Sequence, residues 1–209
     1  MTTMLSRRRA GGAAIAGFFI AGLMSPAPAS TRVATDAGSF VAGLAQEAID
    51  ELASAVLNEE ERLRRFRRLF ADGFDVPLIA RFALGRYWRQ ATDAERAEYL
   101  RLFDDLVVQT YARRFNEFNA ARLRVLSVSR PNEDNDVMVA VEGALQGKPP
   151  VRMDVRVRQG AAQFKIIDVS IEGISMAVTQ RDEFSSVIQR GGGRIEALLA
   201  SLRDRTGQR

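Results

Sequence analysis

From Phe40 onward the apolar residues recur at helical spacing. Phe40, Leu44, Ala48, Leu52 and Val56 share one stripe, which predicts an amphipathic helix ending near Leu57. Asn58 followed by Glu59, Glu60 and Glu61 predicts the next helix start, because Asn can accept from a free backbone N–H and acidic charge suits the positive end of the helix dipole. Leu63, Phe66, Leu69 and Phe70 stripe that second helix, and Gly73 stops it. Asp75-Val76-Pro77 opens a third, with proline early, where its missing N–H costs little. Leu84 to Arg89 breaks the pattern and holds the only Trp. Thr92-Asp93-Ala94-Glu95 is a further capping box. The long helix it starts puts Leu100, Phe103, Leu106, Val107, Tyr111, Phe115 and Phe118 on one aromatic-rich face. Thr31 to Ser39 shows no period and reads as a polar, mobile leader.

Near Arg122 the period changes to two. Leu123, Val125 and Ser127 alternate with Arg122, Arg124 and Leu126, and Pro131 to Asn135 is a turn cluster. Val137, Val139 and Val141 form the next alternation, ended by Gly147-Lys148-Pro149-Pro150. Val151, Met153, Val155 and Val157 then alternate strictly with Arg152, Asp154, Arg156 and Arg158. Phe164 and Ile166 begin a fourth strand that Ile167 and Val169 continue in the opposite phase, which predicts a bulge or burial on both faces. Ser175 to Arg190 is helical, Gly191 to Gly193 breaks it, and Ile195, Leu198, Leu199 and Leu202 stripe a last helix. The fold class is α+β: a helical part over 39–120, a curved four-stranded antiparallel sheet over 122–172 and C-terminal helices over 175–205. A concave sheet covered by aromatic helices, as in NTF2-like folds, is a common way to enclose an apolar cavity. Periodicity alone does not separate that cavity from a filled core.

The first residues read as an address and not as fold. Arg7, Arg8 and Arg9 precede an uncharged run from Ala10 to Ser25, and Ala27-Pro28-Ala29 supplies a cleavage pattern. Residues 1–29 are therefore expected to be an export signal, by the Sec or Tat route, with a single domain over 30–209. The alternative is an uncleaved N-terminal anchor, although the run is short for one. The net charge of +4 is largely that label. Residues 30–209 hold 27 basic and 26 acidic side chains, a net charge near +1, so composition gives no ground for a nucleic-acid partner.

The chain has no Cys and no His, which excludes disulfides, thiol nucleophiles and Ser-His or Cys-His dyads. No phosphate loop, dinucleotide motif or metal motif is present. Asp168, between Ile167 and Val169, is either a buried general base or a carboxylate held by Arg or a backbone amide. Arg62, Arg64, Arg65, Arg67 and Arg68 form the polar side of the second helix: a solvated face, or a docking surface for anionic lipid or an acidic partner.

Several segments resemble one family, the periplasmic toluene-tolerance or MlaC proteins of bacterial phospholipid transport. Ala83-Leu84-Gly85-Arg86-Tyr87-Trp88-Arg89-Gln90-Ala91-Thr92, with Glu95-Arg96 and Tyr99, is similar to that family's L-G-x-Y-W-x-x-A-T…Q-R…F segment. Tyr111-Ala112 and Pro149 to Asp154 match two further stretches. Ile166 to Ser175, with Arg181 and Phe184 after it, resembles the K-I-x-D-V-x-x-E-G-V-S signature. Phe164 departs from the usual Trp and bears on the pocket wall; Glu95 replaces a frequent Gln. The resemblance implies a soluble periplasmic carrier, not an enzyme, without cofactor and with phospholipid as cargo. Its implied partners are an outer-membrane lipoprotein–porin complex and an inner-membrane ABC transporter bearing an MCE domain. Tyr87, Trp88, Phe103, Val107, Tyr111, Phe115, Val139, Val155, Ile166 and Ile174 are the candidate lipid-binding residues, and Arg62, Arg64, Arg65 and Arg68 the candidate docking residues. The competing readings are a carrier of hopanoid or another isoprenoid lipid, an NTF2-like enzyme with Asp168 as base, and a periplasmic adaptor that binds proteins only.

Overall fold

The computed structural model describes residues 29–52, 56–114, 123–144, 149–160 and 163–208. Among these residues six helices flank one sheet: α1 (Ala29–Leu52), α2 (Glu59–Gly73), α3 (Val76–Leu84), α4 (Asp93–Arg114), α5 (Met176–Arg190) and α6 (Ile195–Arg205), with a 3-10 turn over Gly85–Arg89. The strands are β1 (Arg124–Val128), β2 (Asp136–Ala144), β3 (Pro150–Gln159), β4 (Phe164–Ile171) and β5 (Ile174–Ser175), paired antiparallel in sequence order. The expected export signal lies almost wholly outside the described residues, as do Phe115 and Phe118.

The helix starts follow the side chains that mark them. Asn58 Oδ1 accepts from Glu61 N at 2.8 Å, and Asp75 Oδ1 accepts from Leu78 N at 3.1 Å. Thr92 and Glu95 form the reciprocal box, the Glu carboxylate accepting from Thr92 N at 2.7 Å. One expectation needs correction. The stretch 31–39 is helix, not leader: Ala37 and Val41 are buried against the sheet, with Val33 beside them. Within 31–39 that stripe is Val33, Ala34, Ala37 and Gly38, mostly side chains too small to register as a period. A Cβ at Gly38 would come within 3.0 Å of Val128 Cγ2, so the small residue there lets α1 lie close on β1. The same helix is described to Leu52, and residues 53–55, which precede its expected end near Leu57, lie outside the described residues.

The sheet has a fifth strand beyond the four expected. Glu172 (φ 50°) and Gly173 (φ 82°) form a two-residue turn with positive φ at both positions, which folds Ile174 back onto Ile171. Glutamate in that first position hides a turn that Asn or Asp would announce. The phase slip in β4 is a bulge: Arg156 pairs with Asp168 and Val157 with Ile166, leaving Ile167 as the extra residue.

Three apolar rows cross one face of the sheet: Val137–Val157–Ile166, Val139–Val155–Val169 and Val141–Met153–Ile171–Ile174. The register is pinned at one end by Asp136, whose carboxylate accepts from Arg156 Nε at 2.9 Å and Arg158 Nε at 2.6 Å. Burial alone would raise the Asp136 pKa. The hydrogen bonds and charges of Arg158 and Arg156 outweigh it and hold this carboxyl below the usual aspartate range.

Two separate cores result. One is wholly helical, built by α3, the 3-10 turn, α4, α5 and α6, with Tyr99, Phe103 and Phe184 at its centre. Their ring centroids lie 5.9–6.3 Å apart, Phe184 meeting the other two edge-on. Tyr99 donates its hydroxyl proton to the Ala80 carbonyl at 2.8 Å. The other core lies between α1 and the sheet. α2 stands between the two. Arg67 reaches Asp104 and, at 2.7 Å, Asp105 on α4; Arg68 pairs with Glu51 on α1.

Candidate functional site

The space between α1, α2 and the sheet is not filled. A partly open cavity of about 270 Å³ remains there, with almost entirely apolar walls. One wall is the stripe Val41, Leu44, Ala45, Ala48, Ile49 and Leu52 of α1. Phe66, Leu69 and Phe70 of α2, with Phe74 just beyond it, form the second. Val141, Met153, Val155, Ile166 and Val169 form the floor, and Leu123 and Gly143 close one side.

Local chemistry explains the hollow. On α1 the lining includes Ala45 and Ala48, whose single methyl groups fill little of the space. Across from them, Phe70 packs on Phe74 at 4.8 Å and on Phe66 at 6.2 Å, so the aromatic side chains lean on one another along the wall. α2 is kept over the sheet by backbone ties. Asp75 N donates to the Ile166 carbonyl at 2.9 Å, and Lys165 Nζ donates to the carbonyls of Ala71 (2.9 Å) and Asp72 (2.8 Å) at the helix C-terminus. A void of this size with no polar partner does not hold ordered water well and suits hydrocarbon. Its volume is close to the lower end of ligand cavities, roughly 300–1,000 Å³.

The structure distributes the ten candidate lipid-binding residues over several places. Val155 and Ile166 line the cavity, and Val139 is buried in the core beneath it. Tyr87, Trp88, Phe103 and Val107 belong to the helical core instead. The guanidinium groups of Arg81 and Arg96 lie over the Trp88 ring, at 6.0 and 5.6 Å from its centroid. Tyr111 is half-buried on α4, Phe115 is outside the described residues, and Ile174 is 65% exposed. The reason is that α4 packs against α2 and α6, not over the sheet. The helices that do roof the cavity are α1 and α2. Their i, i+4 stripes were legible, but nothing in the periodicity says which amphipathic helix faces which sheet.

The arginine side of α2 is mostly tied down. Arg64 and Arg65 pair with Glu61, the latter at 2.6 Å, while Arg67 and Arg68 pair with α4 and α1 as described. Arg62 donates to the Leu57 carbonyl at 3.1 Å, and its buried Nε has no hydrogen-bond partner. Asp168 faces away from the cavity, since it pairs with Arg156 on the strand face opposite Val155 and Val169. Its carboxylate accepts from Ser175 Oγ at 2.6 Å, Ala177 N at 3.1 Å and Val169 N at 2.9 Å. It therefore stitches β4 to the start of α5. Among the described residues no cluster of acidic side chains could hold a metal ion, and no helix is long and apolar enough to cross a membrane.

A family model described as "MlaC protein" matches residues 42–204. Among solved structures, a phospholipid-binding protein from Ralstonia solanacearum, determined in complex with a phospholipid, superposes with a TM-score of 0.71. The match covers 83% of this chain and 98% of that one, at 24% identity, and it is a likeness of fold.

Proposed function

The chain belongs to the MlaC family, and on that premise we propose that it is a phospholipid carrier that keeps acyl chain in the α1–α2–sheet cavity. The observation that carries this reading is the almost wholly apolar chamber, whose lining residues offer no charged or hydrogen-bonding side chain to do chemistry on a ligand. Burial there is sufficient for binding: each methylene removed from water contributes roughly 0.8 kcal/mol, so a chain of ordinary length is held without a clamp on its headgroup. The Ralstonia protein of the same fold was determined with phospholipid bound, which supports the same cargo here.

The carrier works in the periplasm after removal of residues 1–29. It exchanges lipid with an outer-membrane lipoprotein–porin complex and an inner-membrane ABC transporter bearing an MCE domain. It needs no cofactor and catalyses no reaction. Tight burial makes spontaneous exit slow, so release is a matter of partners favouring an opened state. A second acyl chain requires the α1 wall to move outward from its present position. Cavity-lining Val155 and Ile166, with Leu44, Phe66 and Phe70, are the residues that touch the cargo. Organic extraction of the purified full chain followed by mass spectrometry tests the proposal, with phospholipid expected. Isoprenoid lipid in its place would change the cargo, and lipid-free extracts from several preparations would refute the carrier.

A further inference from the structure

One apolar row on the sheet does not stay inside. Its direct cross-strand partners run Val141, Met153, Ile171 and Ile174, from β2 to the edge strand β5. Directly opposed residues in antiparallel strands share a face, so these four side chains form one line. Val141 is fully buried and lines the chamber, and Met153 lines it while half-buried. Ile171 is 37% exposed and Ile174 65% exposed. The other two rows end within the core. Only this one grades from chamber to solvent.

We propose that this row is the portal of the chamber, the track along which an acyl chain slides between Val141 and the outside. The inference rests on the carrier reading. A chain leaving across polar surface would expose its methylenes to water one after another. A chain leaving along Met153, Ile171 and Ile174 stays in contact with apolar side chains to the sheet edge. The exposed isoleucine of this two-residue edge strand has no packing role that requires it, and the row gives it one. Met153 is the natural gate. Its thioether is unbranched and rotates freely. A Cβ at Gly143 would lie 3.1 Å from Met153 Cε, so glycine at that position leaves the methionine end room to lie over β2.

The test loads the full chain with tritiated phosphatidylglycerol and follows its transfer to phosphatidylcholine vesicles. Ile174→Asp puts a carboxylate in the track at an exposed position where folding is not at stake. It should slow transfer about tenfold, the effect of ~1.4 kcal/mol of added barrier, while bound lipid per protein stays within about twofold of the original chain, less than the tenfold that 1.4 kcal/mol of affinity would give. Ile174→Ser should slow it less. Leu126→Asp, at an exposed aliphatic on β1 that is off the row, should leave transfer unchanged. Transfer by loaded Ile174→Asp at the original rate would overturn the portal and leave the carrier intact. Loss of lipid load with unchanged melting would put Ile174 in the resting site and also overturn it. An original chain that takes up no phosphatidylglycerol at all would remove the carrier reading beneath the portal.

Discussion

The molecule holds two apolar interiors of comparable chemistry and opposite construction. Between α3, α4, α5 and α6 the side chains interlock around Tyr99, Phe103 and Phe184, and the buried Tyr99 hydroxyl finds a carbonyl. Between α1, α2 and the sheet the residues are as apolar, yet short side chains on one wall face rings stacked along the other, and a void remains. The difference teaches that hydrophobic content fixes burial but not filling. Filling depends on whether facing side chains have complementary lengths, and in the chamber they do not.

Substitutions should therefore behave differently in the two regions. The largest effect is expected for Phe184→Ala, at about 3–5 kcal/mol, because its neighbours are locked and the cavity cannot collapse. Phe66→Ala in the chamber wall should cost well under half of that, since its ring already borders empty space; urea denaturation of both variants makes the comparison. Asp136→Ala should cost about 2 kcal/mol, less than a fully buried pair, because the two arginines it leaves behind are half-exposed and water can serve them. The folded pKa of Asp136 lies below its unfolded value, so its contribution is complete above about pH 4 and disappears as pH falls further. Denaturation midpoints of the original chain should drop over that acid range, and Asp136→Asn should flatten the drop.

Two glycines give a finer contrast. A Cβ at Gly191 would lie 2.1 Å from the Ala197 Cβ in the α5–α6 turn, where backbone holds both sides; Gly191→Ala should cost about 1–3 kcal/mol. A Cβ at Gly73 would come even into the methyls of Leu44, 2.4 Å away, but Leu44 has the chamber behind it. Gly73→Ala should cost under about 1 kcal/mol, helped by alanine's better helix propensity. The displaced Leu44 then narrows the chamber, so bound lipid should fall although melting hardly moves. Equal costs at the two glycines would mean that the chamber is as rigid as the helical core.

Element types and most boundaries were legible because capping residues and turn clusters act locally: Asn58, Asp75, Thr92 and the turn at Asn132–Asn135 each do in space what their spacing announces. The family was legible too, from the segments around Trp88 and Asp168. The site was less so. The described part of the α4 stripe, Leu100, Phe103, Leu106 and Val107, went to the filled core, where Phe103 packs on the rings of Tyr99 and Phe184. The chamber belongs to Leu44, Ala48 and Leu52, whose modest side chains are unremarkable in sequence and matter through what they fail to fill. Ile174 shows the same limit from the other side, since a two-residue strand behind a Glu-Gly turn has no period to read.

The attachments of α2 differ along its length. Its C-terminal end is held by Lys165 on two carbonyls and by the Asp75–Ile166 backbone bond; one turn earlier, Arg67 and Arg68 tie it to α4 and α1 by partly exposed ion pairs, and ahead of Phe66 Arg65 reaches α1, donating to the Glu51 carbonyl at 3.3 Å. Backbone bonds are indifferent to salt, and exposed ion pairs are weak and screened by it. Mechanically the helix is a cantilever, stiff at its root and compliant at its tip, with Phe66 on the compliant half and Phe70 nearer the root. Ionic strength thus acts on the chamber as a spring constant, loosening one wall without unfolding the protein.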